Sequence, residues 1–163
     1  MTATTETTIL QRMASLCSVK EYCIRDIRQK IKATDLSDEA CERIIHRLCA
    51  EKFIDEERYT RAFVKDKLRF GKWGRIKIKY ELRNKEIPSL LIENTLSEID
   101  ETAYRAMLKD VLIQKKKNTK GKTEQDIFVK LYRFAAGRGF ENPFISACLK
   151  EILNTEADET NFE

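Results

Sequence analysis

One pattern of residues occurs three times without a gap, over 27–48, 78–99 and 131–152, and it limits the fold more than any single residue does. Corresponding positions are Ile27, Ile78 and Leu131; Ile31, Leu82 and Ala135; Leu36, Ile87 and Phe140; Ala40, Leu91 and Phe144. The match continues through Cys41, Ile92 and Ile145, then Ile45, Leu96 and Leu149, and closes on Leu48, Ile99 and Ile152. Every one of these positions is apolar. Self-similarity at a period of roughly 50 residues marks a repeat architecture, in which a unit too small to bury its own apolar face stacks on its neighbours.

The type of repeat follows from what the chain lacks. Five glycines and two prolines among 163 residues, with 36% charged, leave little turn punctuation for strands and favour long charged helices. The expectation is an all-α fold, an elongated array of three tandem three-helix repeats with about nine helices in helix-turn-helix-like units. Residues 9–52, 53–99 and 100–153 form the repeats, between a flexible 1–8 and a flexible acidic tail at 154–163.

Within repeat one, Ile9, Leu10, Met13, Leu16 and Cys17 form one apolar stripe that ends near Ser18. A second helix is expected from about Glu21, with Ile24, Ile27 and Ile31 facing inward. A third opens on Ser37, whose oxygen suits an N-cap, with Asp38 and Glu39 in the first turn, and runs to about Lys52. Repeat two starts with Asp55 as N-cap; Tyr59, Phe63 and Leu68 supply its buried side, and Gly71 and Gly74 bracket the next connection. Residues 76–82 alternate like a strand, yet the repeat register places Gly74, Ile78 and Leu82 on one inward line and decides for a helix. Pro88 then stands in the place of Ser37. Helices over about 100–117, 122–138 and 141–153 complete repeat three.

Charge is distributed unevenly. The first 60 residues balance ten basic against eleven acidic groups, whereas residues 61–85 hold ten Lys or Arg against Asp66 and Glu81. Arg75, Lys79 and Arg83 recur at helical spacing, and Lys115, Lys116, Lys117, Lys120 and Lys122 precede a helix that adds Lys130, Arg133 and Arg138. An anionic partner is expected. Phosphate backbone is the commonest polymeric anion, and Phe70, Trp73 and Tyr80 offer rings on which unpaired bases stack. The same charges also suit a solvated helix face or an acidic protein surface. Candidate contacts are Arg61, Lys65, Arg69, Lys72, Arg75, Lys79 and Arg83, followed by Lys130 and Arg133. Arg58, beside Asp55, Glu56 and Glu57, fits a structural ion pair at least as well.

Catalytic and metal readings are weak. The five cysteines form no CxxC pair, Cys41 and Cys148 occupy apolar repeat positions, and His46 is the only histidine. His46 with Cys49, Cys17, Cys23 and Cys41 lacks the paired short spacing of zinc sites, and His46 reads as a helix-surface residue. Without a phosphate loop or a nucleophile–base pair, neither an enzyme nor a cofactor is expected. No apolar run reaches the roughly 18–20 residues that span a bilayer, and the start of the chain lacks the form of a signal peptide, so the expectation is a cytoplasmic protein with no membrane partner.

Residues 53–64, Phe-Ile-Asp-Glu-Glu-Arg-Tyr-Thr-Arg-Ala-Phe-Val, followed by Gly71, Gly74 and the Ile-Lys-Tyr-Glu-Leu of 78–82, resemble the central signature of the RecX family. The Lys-Leu-Tyr-Arg-Phe of 130–134 with Arg138, Gly139 and Phe140 resembles that family's closing motif, and the likeness extends over about 10–153. Two positions depart from the pattern. Arg75 stands where proline is common, and Glu86 replaces a glycine after the fifth helix, which predicts a different helix end there. The resemblance implies a negative regulator of the RecA recombinase. Such a protein binds RecA-coated single-stranded DNA filaments and inhibits filament extension, ATP hydrolysis and strand exchange, in DNA repair, recombination and the SOS response. RecA and its DNA filament are then the expected partners of a monomer that binds bare DNA weakly. The alternative is a helical transcriptional regulator that binds DNA directly, since three-helix units resemble helix-turn-helix domains.

Overall fold

The computed structural model describes the backbone of residues 2–160 and the side chains of 5–153. Among these residues there are nine α-helices and no strand: α1 Thr2–Val19, α2 Ile24–Lys32, α3 Asp38–Ala50, α4 Glu56–Asp66, α5 Arg75–Asn84, α6 Ser89–Ser97, α7 Glu101–Lys117, α8 Glu124–Gly137 and α9 Asn142–Thr160. A single π-helical turn, Lys67–Gly71, follows α4. The all-α expectation holds, and residues 76–82 are helical despite their alternating pattern.

Helix starts show how local chemistry and tertiary contacts divide the work. Ser37 Oγ accepts from the Ala40 amide at 3.1 Å, Asp55 Oδ1 from the Arg58 amide at 3.0 Å and Thr123 Oγ1 from the Asp126 amide at 3.1 Å, so each satisfies a first-turn donor that the helix cannot. The second helix begins at Ile24 and not at Glu21, because its cap is supplied from elsewhere in the chain. Cys23 gives no side-chain cap, and the Ile24 amide donates to Glu56 Oε2 at 3.4 Å. At the N-terminus, α1 starts ahead of Ile9, and the Arg43 guanidinium grips both oxygens of Glu6 at 2.9 and 3.0 Å. Of the segments expected to be flexible, the backbone over 2–8 and 154–160 is helical, while Met1 and residues 161–163 lie outside the described residues.

The chain forms two compact units, Met1–Lys65 with Leu82–Thr95, and Asp66–Glu81 with Leu96–Glu163, and the second repeat contributes to both. In unit one, Ile9, Met13, Cys17, Ile27, Ile31, Ile44 and Leu48 make the apolar cluster, and Ile87 and Ile92 are also buried. A half-buried pair, Lys85 Nζ to Asp26 Oδ1 at 2.6 Å, joins α2 to the segment after α5. Arg58 is a clasp of this unit, as its acidic surroundings imply. It donates to Glu21 Oε1 and to the carbonyls of Lys52 and Phe53 at 3.0 and 3.3 Å. Cys41 and Cys148 are buried, and burial pushes both thiols above their ordinary pKa, as befits small core residues. His46 is exposed on α3.

In unit two, Tyr104, Leu108, Leu112, Leu131, Ala135, Phe140, Ile145 and Leu149 form the core. Helix α5 enters this unit with no capping side chain. Instead the Gly74 amide donates to the Arg138 carbonyl at 2.7 Å, the Arg75 amide to Tyr104 Oη at 3.0 Å, and the Ile76 amide to the Gly139 carbonyl at 3.0 Å. The end of α8 therefore caps the start of α5. The backbones come so close that a Cβ on Gly74 would stand 2.3 Å from the Gly139 oxygen, and one on Gly139 2.4 Å from Lys77 Cβ. Gly139 is also at φ 91, where glycine is favoured. Glu86, aligned with Gly139 in the repeat register, adopts φ 60 all the same, and the Ile87 amide closes back on the Leu82 carbonyl at 3.1 Å. The left-handed helix end expected to change with Glu86 is kept, because the Leu82–Ile87 closure imposes it on a residue with a side chain.

Candidate functional site

The segment 66–81 of unit two brings cations and aromatic rings together. After α4 the helix widens into the π-turn and stops at Lys72, which takes the left-handed conformation at φ 54. Arg138 fixes this turn by donating to the Gly71 carbonyl at 2.7 Å. The chain then reverses, and the Trp73 amide bonds back to the Lys67 carbonyl at 3.0 Å. Trp73 is half-buried with two ammonium groups over its ring, Lys67 at 4.5 Å and Lys77 at 4.3 Å. Arg69 lies 5.2 Å from the centre of the Phe70 ring. Phe70 is 74% exposed and Tyr80 61% exposed, with Ile76 also exposed. These are large apolar groups held in water beside positive charge, and π-turns of this sort are frequent where a helix serves a function.

The sequence-selected cations separate into two groups. Arg61, Lys65, Arg69, Lys72, Arg83 and Arg133 are exposed, and Lys79 is half-buried. Arg61 is paired with Glu57 on its own helix at 3.2 Å. Lys130 donates to the Lys120 carbonyl in the loop before α8. Arg75 is turned inward: Nη1 pairs with Glu141 Oε2 at 2.7 Å, and the guanidinium lies 4.1 Å over the Tyr104 ring and 5.7 Å from Phe144. Tyr104 Oη in turn donates to Glu141 Oε1, and burial first, then this hydrogen bond, pushes its phenol far above the ordinary tyrosine range. Arg75 therefore belongs to a half-buried network of unit two.

Sequence reasoning passed over Lys67 and Lys77 because they sit off the Arg75–Lys79–Arg83 stripe. Their placement depends on the π-turn, which no local pattern announces. Trp73 itself was the available signal, six residues after Lys67 and four before Lys77. In unit one a smaller version occurs, with Lys20 and Lys30 at 4.7 and 5.6 Å from the Tyr22 ring centre. Among the described residues, no group of three or more His, Cys, Asp or Glu is placed to hold a metal ion, and no helix is long and apolar enough to cross a membrane.

Helices in a repeated three-helix pattern, with a basic and aromatic segment exposed in unit two, define an all-α protein of the helical-repeat class. Comparison with known proteins places it more narrowly. Residues 55–96 match the family model described as RecX, second three-helix domain. A regulatory protein RecX of Prosthecochloris aestuarii is 30% identical over 144 residues, covering 88% of this chain and 93% of the relative. One of Clostridium botulinum is 36% identical over 135 residues, covering 81% of this chain; there the chain spans 62% of its relative's length. Two crystal structures share the fold, each with a TM-score of 0.81: a regulatory protein RecX at 21% identity over 89% of this chain and 71% of that one, and RecX from Lactobacillus salivarius at 15% over 91% and 97%. The chain belongs to the RecX family of regulatory proteins.

Proposed function

We propose that this protein is a negative regulator of the RecA recombinase, which binds RecA-coated single-stranded DNA in the cytoplasm and restrains filament extension, ATP hydrolysis and strand exchange. Through these it acts on DNA repair, recombination and the SOS response, as a monomer and with no catalysis of its own. Family membership supports the regulatory role. The observation that carries the mode of action is the segment 66–81, where Lys67, Arg69 and Lys77 accompany Phe70, Trp73 and Tyr80. Cations there meet phosphate or carboxylate, and exposed rings add apolar contact that no salt condition screens. Contacts are assigned to Arg61, Lys65, Arg69, Lys72, Lys79, Arg83 and Arg133 with Lys67 and Lys77, and a structural role to Arg75. A helical protein laid along a filament and touching successive RecA subunits competes with the addition of the next one.

ATP hydrolysis by the cognate RecA on single-stranded DNA, with this protein titrated in, tests the reading. Inhibition well below one molecule per RecA indicates blocked extension; inhibition only near equivalence indicates occupancy along the filament. The triple variant Arg69→Glu, Phe70→Ala, Tyr80→Ala is expected to need at least about tenfold more protein for the same inhibition, with unchanged helicity. Undiminished inhibition by this variant removes the segment from the mechanism, and no inhibition by the unaltered protein removes the function.

A further inference from the structure

One depression in unit two is lined mostly by residues given no role above, and shares Lys72 and Arg138 with the π-turn. It runs along a single face of α7 against the end of α8 and encloses about 620 Å³. Its apolar lining is Ala103, Ala106, Met107, Val111 and Phe134. Three cations, Lys72, Lys115 and Arg138, and one carboxylate, Asp110, also line it. The residues involved run along α7 from Ala103 to its C-cap Asn118 on one face, so the groove follows the helix for about 22 Å. This is the length of a four-turn helix, and its volume falls within the roughly 300–1,000 Å³ of ordinary binding sites.

We infer that this groove is a docking site for an acidic amphipathic helix of a partner protein, with apolar anchors on Met107, Val111 and Phe134 and carboxylates opposite Lys72, Lys115 and Arg138. Charge complementarity selects the occupant. The basic groups outnumber Asp110, and Lys115 opens a run of three lysines in the last turn of α7, where the helix dipole leaves the backbone negative and cations are held favourably. An acidic partner therefore meets fixed positive charge at one end of an apolar trough. Nucleic acid fits less well. Four of its five apolar lining groups, Ala103, Ala106, Met107 and Val111, have no ring on which a base could stack. Methionine and valine suit aliphatic or aromatic side chains spaced i, i+3, i+4 and i+7, the pattern that a helix lays into a groove.

The test needs no RecA, so its outcome is separate from the regulator reading. A phage-displayed library of random peptides of about 16 residues, the reach of the α7 face, is selected on the full chain. The enriched consensus is then measured as a labelled synthetic peptide by fluorescence anisotropy. Enrichment of Asp and Glu around Leu, Met or Phe at helical spacing is expected, with at least about tenfold weaker binding to Val111→Glu and a several-fold loss on Lys115→Glu. Ala106→Glu, at an exposed position, serves in place of Val111→Glu where circular dichroism shows the latter unfolded. Basic consensus sequences, no enrichment, or equal binding by the groove variants overturn the proposal. So does displacement of the peptide by an unlabelled thymidine oligonucleotide whose own affinity falls in the same variants, because that gives the groove to nucleic acid.

Discussion

Gly74 is closed to substitution, because its hydrogen faces the Gly139 carbonyl where any β-carbon would overlap backbone. Neither glycine can yield without parting the Gly74–Arg138 and Ile76–Gly139 hydrogen bonds. Gly74→Ala is therefore expected to lower stability by about 2–4 kcal/mol in urea unfolding, far beyond an ordinary surface change. Arg75 has a like role through its side chain. Arg75→Ala leaves Glu141 half-buried with only Tyr104, and a loss of about 2 kcal/mol is expected, read as a lower Tm with no ligand present. Asp26 supplies a pH-dependent test. Burial raises its pKa, but the hydrogen bonds from Lys85 and Cys23 outweigh that and hold it below the ordinary aspartate range. A folded pKa below the unfolded one gives stability that is present above the ordinary value and lost as pH falls through the folded value. Asp26→Asn is thus expected to lower Tm at pH 7, with the gap to the parent closing as acid protonates Asp26 in the parent.

At the scale of elements, what could be read in advance was whatever a helix decides for itself. Ser37 and Asp55 cap with their own side chains, and the repeat register settled α5 as a helix where alternation alone pointed to a strand. Elements that depend on distant residues were not legible. The start of α2 waits on Glu56, the π-turn ends where Arg138 holds Gly71, and Arg75 is drawn inward by partners 29 and 66 residues along the chain. The segment 66–81 was accordingly visible as composition, basic and aromatic, while its pairing of Trp73 with Lys67 and Lys77 was not. Glu86 gives a further test. A left-handed φ of 60 strains a side chain but not glycine, so Glu86→Gly is expected to raise stability by about 1 kcal/mol in thermal or urea unfolding.

For the whole molecule, the repeat in sequence and the compact units in space do not coincide. Three copies of one pattern yield two units, each made of two separate stretches of chain, with the middle copy shared. The pattern reports which positions are apolar in every copy, and those positions are buried in nearly all three; it carries no record of which copy packs with which. Here the regulatory reading makes its own demand, that loss of inhibition and loss of folding be separable. Exposed Arg69, Phe70 and Tyr80 are expected to govern inhibition without moving Tm, while Gly74 and Arg75 are expected to move Tm first.

The split construction of unit two also bears on how the protein is made. Residues 66–81 leave the ribosome well before the end of α8 that must cap Gly74 and Ile76, and long-range closures of this kind form late. During synthesis Ile78, which the finished fold buries, and Leu68, which packs against the core of unit two, therefore wait uncovered on a nascent chain, and a stall anywhere before Gly139 leaves a product that is sticky and unable to close.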